Sequence, residues 1–440
     1  MTKFQKKSAI ILGGALLLLL AGYFALTKTV DHYLNDGALA RKIGKKTALI
    51  LKADAGYLPL SWRGLYVRSD GLLVRGKRPR GLTELQAKNL RASFSLHELW
   101  LRKIVIRRLH ADRLEAAFGS AAAGEVRPIL SAQPELQPQV EQPSLFKVDI
   151  RETIVDQLNI FWGEKAEALG ALRDVHAEFR PSGPDLDAIG TGGTLRQTGW
   201  PELRIVRAEA HYAKPRLELR SVRFAIGKKE DTKVTGMLDL GQPGGLHLQV
   251  QSKNAPVAPF LNGSWRGKFE GQIDGEARID KSFAPDAKAS ASGKLKISGA
   301  ELHDVVTLDR LAALTRHPEF AHLKLSQLSG RYDFSGARLE VKELRLEAKN
   351  LFRIEGRFVI EEKQIDGRFQ IGATAEVLDA IPGAREYVFT EARDGYFWTS
   401  LKLSGPLKNP REDLRTASSP GRRKNSPRVC SHHSSSRARD

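Results

Sequence analysis

The sequence predicts a mainly β protein: one N-terminal transmembrane helix, then an elongated, curved antiparallel β-sheet, groove-like, with a few short helices. Three observations predict it. An apolar run without charge, Ser8 to Leu26, follows Lys3, Lys6 and Lys7. Beyond Gly56 the apolar residues recur with a period of two rather than 3.6. Gly and Pro then punctuate many short alternating stretches, as in Arg180-Pro181-Ser182-Gly183-Pro184 and in 241–245.

The apolar run of about 19 residues is long enough to cross a bilayer core of roughly 30 Å as a helix. The lysines before it favour the cytoplasmic side, so the remainder is expected outside the cytoplasm. A cleaved signal peptide would carry an apolar core of about 7–15 residues and a small-x-small site. This run instead ends in Tyr23-Phe24-Ala25-Leu26, aromatics suited to an interface. An uncleaved anchor with a cytoplasmic stub is therefore expected over residues 1–27.

Composition bounds the rest. The 440 residues have an apolar share of 41% and a mean hydropathy of -0.34, which excludes a polytopic membrane protein. Cys430 stands alone, so no internal disulfide can form. The formal net charge is +19 and the pI about 9.9, an excess that invites a nucleic-acid reading. The basic residues, however, are spread along the chain and alternate with acids, as from Arg338 to Lys349. No basic stripe with interleaved aromatics occurs, so nucleic acid is not expected as a partner. The excess suits a solvated sheet face compatible with anionic lipid surfaces.

Residues 28–118 form a helix and β-unit. Asp36 to Ala53 reads as an amphipathic basic helix, favoured as a cap on a sheet over a membrane-surface helix. Residues 64–68 and 71–75 read as two short strands with a turn between them. Strands follow at Ala87–Phe94 and Arg102–Leu109, separated by one helical turn at Ser95–Leu101. There Glu98 stands three residues after Ser95, a capping-box spacing. Residues 119–146 are rich in Ala, Gln, Pro and Glu and read as a flexible linker or a loop on the sheet edge.

A middle β-region spans 147–290, and a C-terminal β-region spans 291–415. In the latter, Thr307 to His317 reads as a helix with Leu308, Leu311, Ala312 and Leu314 on its packed side, and Pro318 past its end. A hairpin follows. Parity places Ile354, Gly356, Phe358 and Ile360 on one face, with Ile365, Gly367, Phe369 and Ile371 beside them. If Ile360 pairs with Ile365, a ring covers each glycine. The reverse face carries Arg353, Glu355, Arg357, Asp366 and Arg368. Leu295, Ile297, Leu339, Val341, Ile354, Phe358, Ile360, Ile365, Phe369 and Ile371 are the candidate lining of a shared apolar groove. Residues 416–440 are Ser, Arg, Pro and His and read as a disordered tail.

Over roughly residues 1–415 the layout resembles the AsmA-like family of bacterial envelope proteins. The resemblance rests on the anchor and on the strand, short helical turn and strand of Leu90 to Leu109. It rests also on GKLKISGAEL at 293–302, LDRLAALT at 308–315, LRLEA at 344–348 and the closing LKLSGPLKNPRED at 401–413. It implies a long, bent sheet with an apolar groove and a role in handling or transferring phospholipid or another acyl-chain lipid in outer-membrane and envelope biogenesis. It implies a single-pass protein of the inner membrane with its bulk in the periplasm, and outer-membrane or envelope proteins as partners. About 20 strands at about 4.8 Å would give a sheet roughly 100 Å long, short for a bridge across the periplasm.

Reactive chemistry is not expected. Residues 190–194 (GTGGT) lack the Lys-Ser/Thr of a P-loop and the third Gly of a dinucleotide turn. Neither a His-Glu-x-x-His nor a Gly-x-Ser-x-Gly motif occurs. Cys430, His432 and His433 lie in the tail without a fourth metal ligand. The sequence therefore predicts no enzyme, no cofactor and no metal. The alternative to lipid handling is a structural or interaction protein of the envelope.

Overall fold

A computed structural model describes residues 38–414, apart from 64–65, 78–80, 95–103, 120–121, 127, 139–147, 164–168, 228–229, 242 and 285. The expected anchor, the one-turn helix at Ser95–Leu101 and the tail lie outside these residues. No helix among the described residues is long and apolar enough to cross a membrane.

Helix α1, Ala38–Leu51, opens the described chain. Strands β1 (Ala53–Tyr57), β2 (Leu60–Arg63), β3 (Tyr66–Gly76), β4 (Leu82–Phe94) and β5 (Ile104–Phe118) follow. After a loop come β6 (Val148–Ile150), β7 (Thr153–Trp162), β8 (Gly170–Ser182), β9 (Asp185–Thr191) and β10 (Thr194–Gln197). Next are β11 (Leu203–Ala213), β12 (Arg216–Ala225), β13 (Glu230–Asp239), β14 (Gly245–Pro256), β15 (Phe269–Ser282) and β16 (Ser290–His303). Helix α2 (Val306–Thr315) precedes β17 (His322–Leu325), β18 (Gln327–Ser335), β19 (Arg338–Ala348), β20 (Phe352–Glu361) and β21 (Gln364–Ala373). The short helix α3 (Ala375–Asp379) leads to β22 (Glu391–Arg393), β23 (Tyr396–Pro406) and β24 (Arg411–Leu414).

The strands belong to one large curved sheet. Chain neighbours pair antiparallel almost throughout. The exception is the junction where β5 runs parallel to β6 and β7. Several short strands share a position in the ladder, β6 with β7 along β5 and β17 with β18 along β16. About nineteen positions at about 4.8 Å make a sheet roughly 90 Å long. The ladder runs through residue 290 without a break, β16 pairing with both β15 and β18.

Alternation explains the strands, and regular interruptions of it bend them. In β5 the apolar-face residues Ala111 and Leu114 are three apart, not two. In β4, β7 and β8 the corresponding pairs are Ala87/Leu90, Val155/Leu158 and Leu172/Val175. The pattern recurs at Leu219/Val222 in β12 and at Val341/Leu344 in β19. Asn89, Asp174, Asn254 and Glu343 take positive φ at such places. An inserted residue bends its strand and increases the local twist.

Several details differ from the sequence expectation. Residues 66–68 and 71–75 belong to one strand, β3, rather than two. Ser69, which reads as a turn residue, is buried at its centre and donates to the carbonyl oxygens of Leu58 (2.9 Å) and Gly71 (3.0 Å). Of the two readings of the Gln/Pro segment, a flexible linker or a loop on the sheet edge, its described residues follow the second. Gln137 is buried and forms a β-bridge with Ala55, and Ile129 N–H donates to Gln86 Oε1 at 2.9 Å. Leu314 is 62% exposed, whereas Thr315 is buried with its hydroxyl on Leu311 O at 2.7 Å. The phase accounts for this: 308, 311, 312 and 315 follow the helical period, and 314 falls about 120° off it.

Candidate functional site: a continuous apolar face

Paired residues in a sheet project to the same face, so the register traces faces across many strands. One row begins at Leu60, Ser69, Leu90 and Ala111. It crosses the parallel junction to Val155, Ala177, Gly190 and Ala208. It continues through Val222, Val234, Val250, Ala277 and Gly293. It ends through Tyr332, Val341, Phe358, Gly367 and Leu403. Each member is the direct partner of the next, and none is charged. A parallel row runs from Leu219 through Gly236, Leu248, Ile279, Ala291, Phe334, Leu339, Ile360 and Ile365 to Gly405.

The ten candidate lining residues all fall on this face. Ile297 pairs with Leu328, Leu328 with Leu346, Leu346 with Ile354, and Ile354 with Ile371. Leu295 is two residues from Ile297 on the same strand, and Phe369 two from Ile371. Leu339 and Val341 pair with Ile360 and Phe358, and Ile360 pairs with Ile365. Phe358 lies opposite Gly367 and Gly356 opposite Phe369, the register that parity predicts. Ile297 is buried and the other nine are partly buried, so solvent reaches most of these ten side chains.

Two groups of helical residues cover parts of the face. At the N-terminal end Ala40, Ile43 and Ala48 of α1 pack with Leu60, Val67, Leu72, Val74 and Leu85. Toward the C-terminal end, Leu308, Leu311, Val377 and Leu378 of α2 and α3 pack with Ile297, Leu328, Leu346 and Phe352. Over its described residues α1 therefore caps the sheet. Sequence reasoning missed the middle of the row, from Val155 to Val250. The inserted residues reset parity inside each strand and hide it.

The reverse face is a lattice of ion pairs. Lys342–Asp333 (3.1 Å), Arg338–Glu361 (3.2 Å), Arg180–Glu178 (3.0 Å) and the close Arg353–Glu355 pair lie there. Lys342 has its pKa raised by the hydrogen bond to Asp333. Trp398 is buried on this side, over Gly372, with Arg393 4.6 Å above its ring. Among the charged side chains lie depressions, one of about 920 Å³ between Glu340, Arg357, Arg368 and Lys402. On the apolar face, burial raises the pKa of the Tyr332 phenol, the polar exception within the C-terminal part of the row. Comparison with known proteins gives no match: no family model, no curated protein and no solved structure is similar to this chain.

Proposed function

We propose that this chain is an AsmA-like protein of the cell envelope, anchored in the inner membrane by Ser8–Leu26, that holds or transfers acyl-chain lipid along its apolar face. The observation that carries the reading is the uncharged row from Leu60 to Leu403, which runs across the strands and so along the length of the sheet. An acyl chain lying on it would bury CH₂ groups at about 0.8 kcal/mol each. No reactive atom is required. The inserted residues support a trough. At Asp112-Arg113 and Asp156-Gln157 two polar residues stand between consecutive apolar-face residues, which lengthens the polar side of the bend and makes the apolar side the inner one.

The lipid, in this reading, is a phospholipid or a molecule with similar chains, and outer-membrane or envelope proteins are the partners at the far end. The test is photo-crosslinking from the full-length chain in cells. A photoreactive residue at Val250 should yield a lipid adduct by mass spectrometry, and one at Gln249, on the reverse face, should not. Equal yields from both, or protein adducts alone from Val250, would favour a structural protein of the envelope instead.

A further inference from the structure

On the polar face the register lines up six basic residues, one on each of six neighbouring strands. Lys294 of β16 is the direct partner of Arg331 of β18, and Arg331 of Lys342 of β19. At the bulge of β19, Lys342 and Glu343 stand together against Arg357 of β20, between the pairs Val341–Phe358 and Leu344–Gly356. Arg357 is the partner of Arg368 of β21, and Arg368 of Lys402 of β23. Glu276 and Asp413 close the row at its two ends. At about 4.8 Å per strand the six residues span about 24 Å. Each comes from a different strand, so no stretch of sequence displays the stripe. The row lies along two adjoining depressions that share Glu343. One of about 720 Å³ is lined by Lys294 and Arg331, and the one of about 920 Å³ by Lys342, Arg357, Arg368 and Lys402.

Like charges placed directly opposite destabilise a sheet, so the row is costly to the fold unless it is neutralised. Lys342 meets Asp333 (3.1 Å) and Glu340 (3.6 Å), and Arg331 meets Glu343 (3.5 Å). Lys294, Arg357, Arg368 and Lys402 are exposed and form no ion pair among the described residues. Glu355, beside Arg357, is taken up by Arg353 and by Arg393 (3.7 Å). We propose that the row binds a slender linear polyanion carrying phosphate groups, with these four unpaired cations making the main contacts. Arginine offers phosphate oxygens a fork of donors, and lysine a point charge. The stripe is one residue wide. Asp333, Glu340 and Asp366 lie in the adjacent row on one side, and the mixed row of Arg345, Glu355, Gln370 and Ser400 on the other. A plane of lipid headgroups would press on Asp366 and Asp413, exposed and without ion pairs among the described residues, whereas a single chain lies beside them. An extended acidic peptide would turn a carboxylate to the row only every second residue, about 6.6 Å apart, and a sheet face gives it no strand edge to pair with. No aromatic side chain stands in the row to stack a base. The row is on the face opposite the apolar one, so the inference does not depend on lipid binding.

The test is binding of long-chain linear polyphosphate to the full-length protein in neutral detergent, over a series of salt concentrations. Expected are saturable binding that weakens with salt and a polyphosphate-dependent rise in thermal midpoint. Arg357→Gln with Arg368→Gln should reduce the slope of log affinity against log salt by about 1 for each lost contact. Lys402→Gln gives the same reading for one contact if the double variant does not fold. Lys349→Gln, at an exposed turn outside the row, should leave the slope unchanged. Without polyphosphate the double variant should melt at or above the wild-type temperature, because repulsion is relieved. A lower midpoint would show that the row serves the sheet rather than a ligand. No binding by the wild type would overturn the proposal, and so would an unchanged slope in the variants. Polyglutamate bound as tightly as polyphosphate would overturn the assignment to phosphate. If the double variant lost a preference for phosphatidylglycerol over phosphatidylcholine vesicles yet bound polyphosphate as before, the row would belong to a membrane surface and the proposal would fall.

Discussion

Phe358 and Phe369 meet across the β20–β21 hairpin with ring centroids 6.2 Å apart and planes inclined by 31°, each lying opposite a glycine of the facing strand. The glycines make room for the rings. A Cβ on Gly367 would stand 2.6 Å from the Phe369 ring, and one on Gly356 would stand 2.5 Å from the carbonyl oxygen of Arg368. A ring can swing aside, whereas a ladder carbonyl cannot move without straining its hydrogen bond. Gly367→Ala should therefore cost about 1 kcal/mol and Gly356→Ala about 2–3 kcal/mol. Urea midpoints would measure both, and the reverse order would contradict the packing described.

The turn of the same hairpin offers a gain. Glu362 and Lys363 both take positive φ, 49° and 64°, as a two-residue type I′ turn requires. Side chains of this kind pay about 1–2 kcal/mol each for that conformation. Replacing them together, Glu362→Asn with Lys363→Gly, should stabilise the protein by about 1 kcal/mol, read as a higher thermal midpoint without change in the circular dichroism spectrum.

The β20–β21 register was legible because its parity is unbroken from Phe352 to Ala373, so the glycine–ring pairing follows from alternation alone. Where a strand carries an extra residue, parity fails. Ser69 then looks like a turn and Val155 loses its phase against Leu158. The parallel pairing of β5 with β7 was not legible, since it depends on where a long irregular connection lets the chain return.

The junction should also be sensitive to acid. Glu152 accepts from Arg108 Nε at 2.8 Å and from Arg180 Nε at 3.2 Å. The Arg108 hydrogen bond, with the further contribution of Arg180, holds its carboxyl below the ordinary 4.5. A carboxylate with a lowered folded pKa stabilises the fold above its unfolded value and loses that contribution as pH falls through the folded one. Glu152→Gln should thus lower the urea midpoint at pH 7, and the gap to wild type should narrow below about pH 4.5. A gap that stays constant down to pH 3 would show that Glu152 does not couple folding to protons.

The apolar row makes the sharpest functional prediction, because its two faces can be tested one residue apart. Val250 pairs with Val234 and Ala277 within the row, while Gln249 pairs with Thr235 and Arg278 on the reverse face. A charge at Val250, or at Phe358 farther along, lies where an acyl chain would pass. An unpaired carboxylate against hydrocarbon costs several kcal/mol. Val250→Asp and Phe358→Asp should abolish lipid adducts and complementation of a deletion strain, while Gln249→Asp, beside Arg278, should be tolerated. Circular dichroism must show each variant folded. Folded Val250→Asp and Phe358→Asp proteins that still complement would remove the row from the mechanism. If loss of one reverse-face carboxylate, such as Glu276→Gln, abolished activity instead, the chemistry would lie on the charged face.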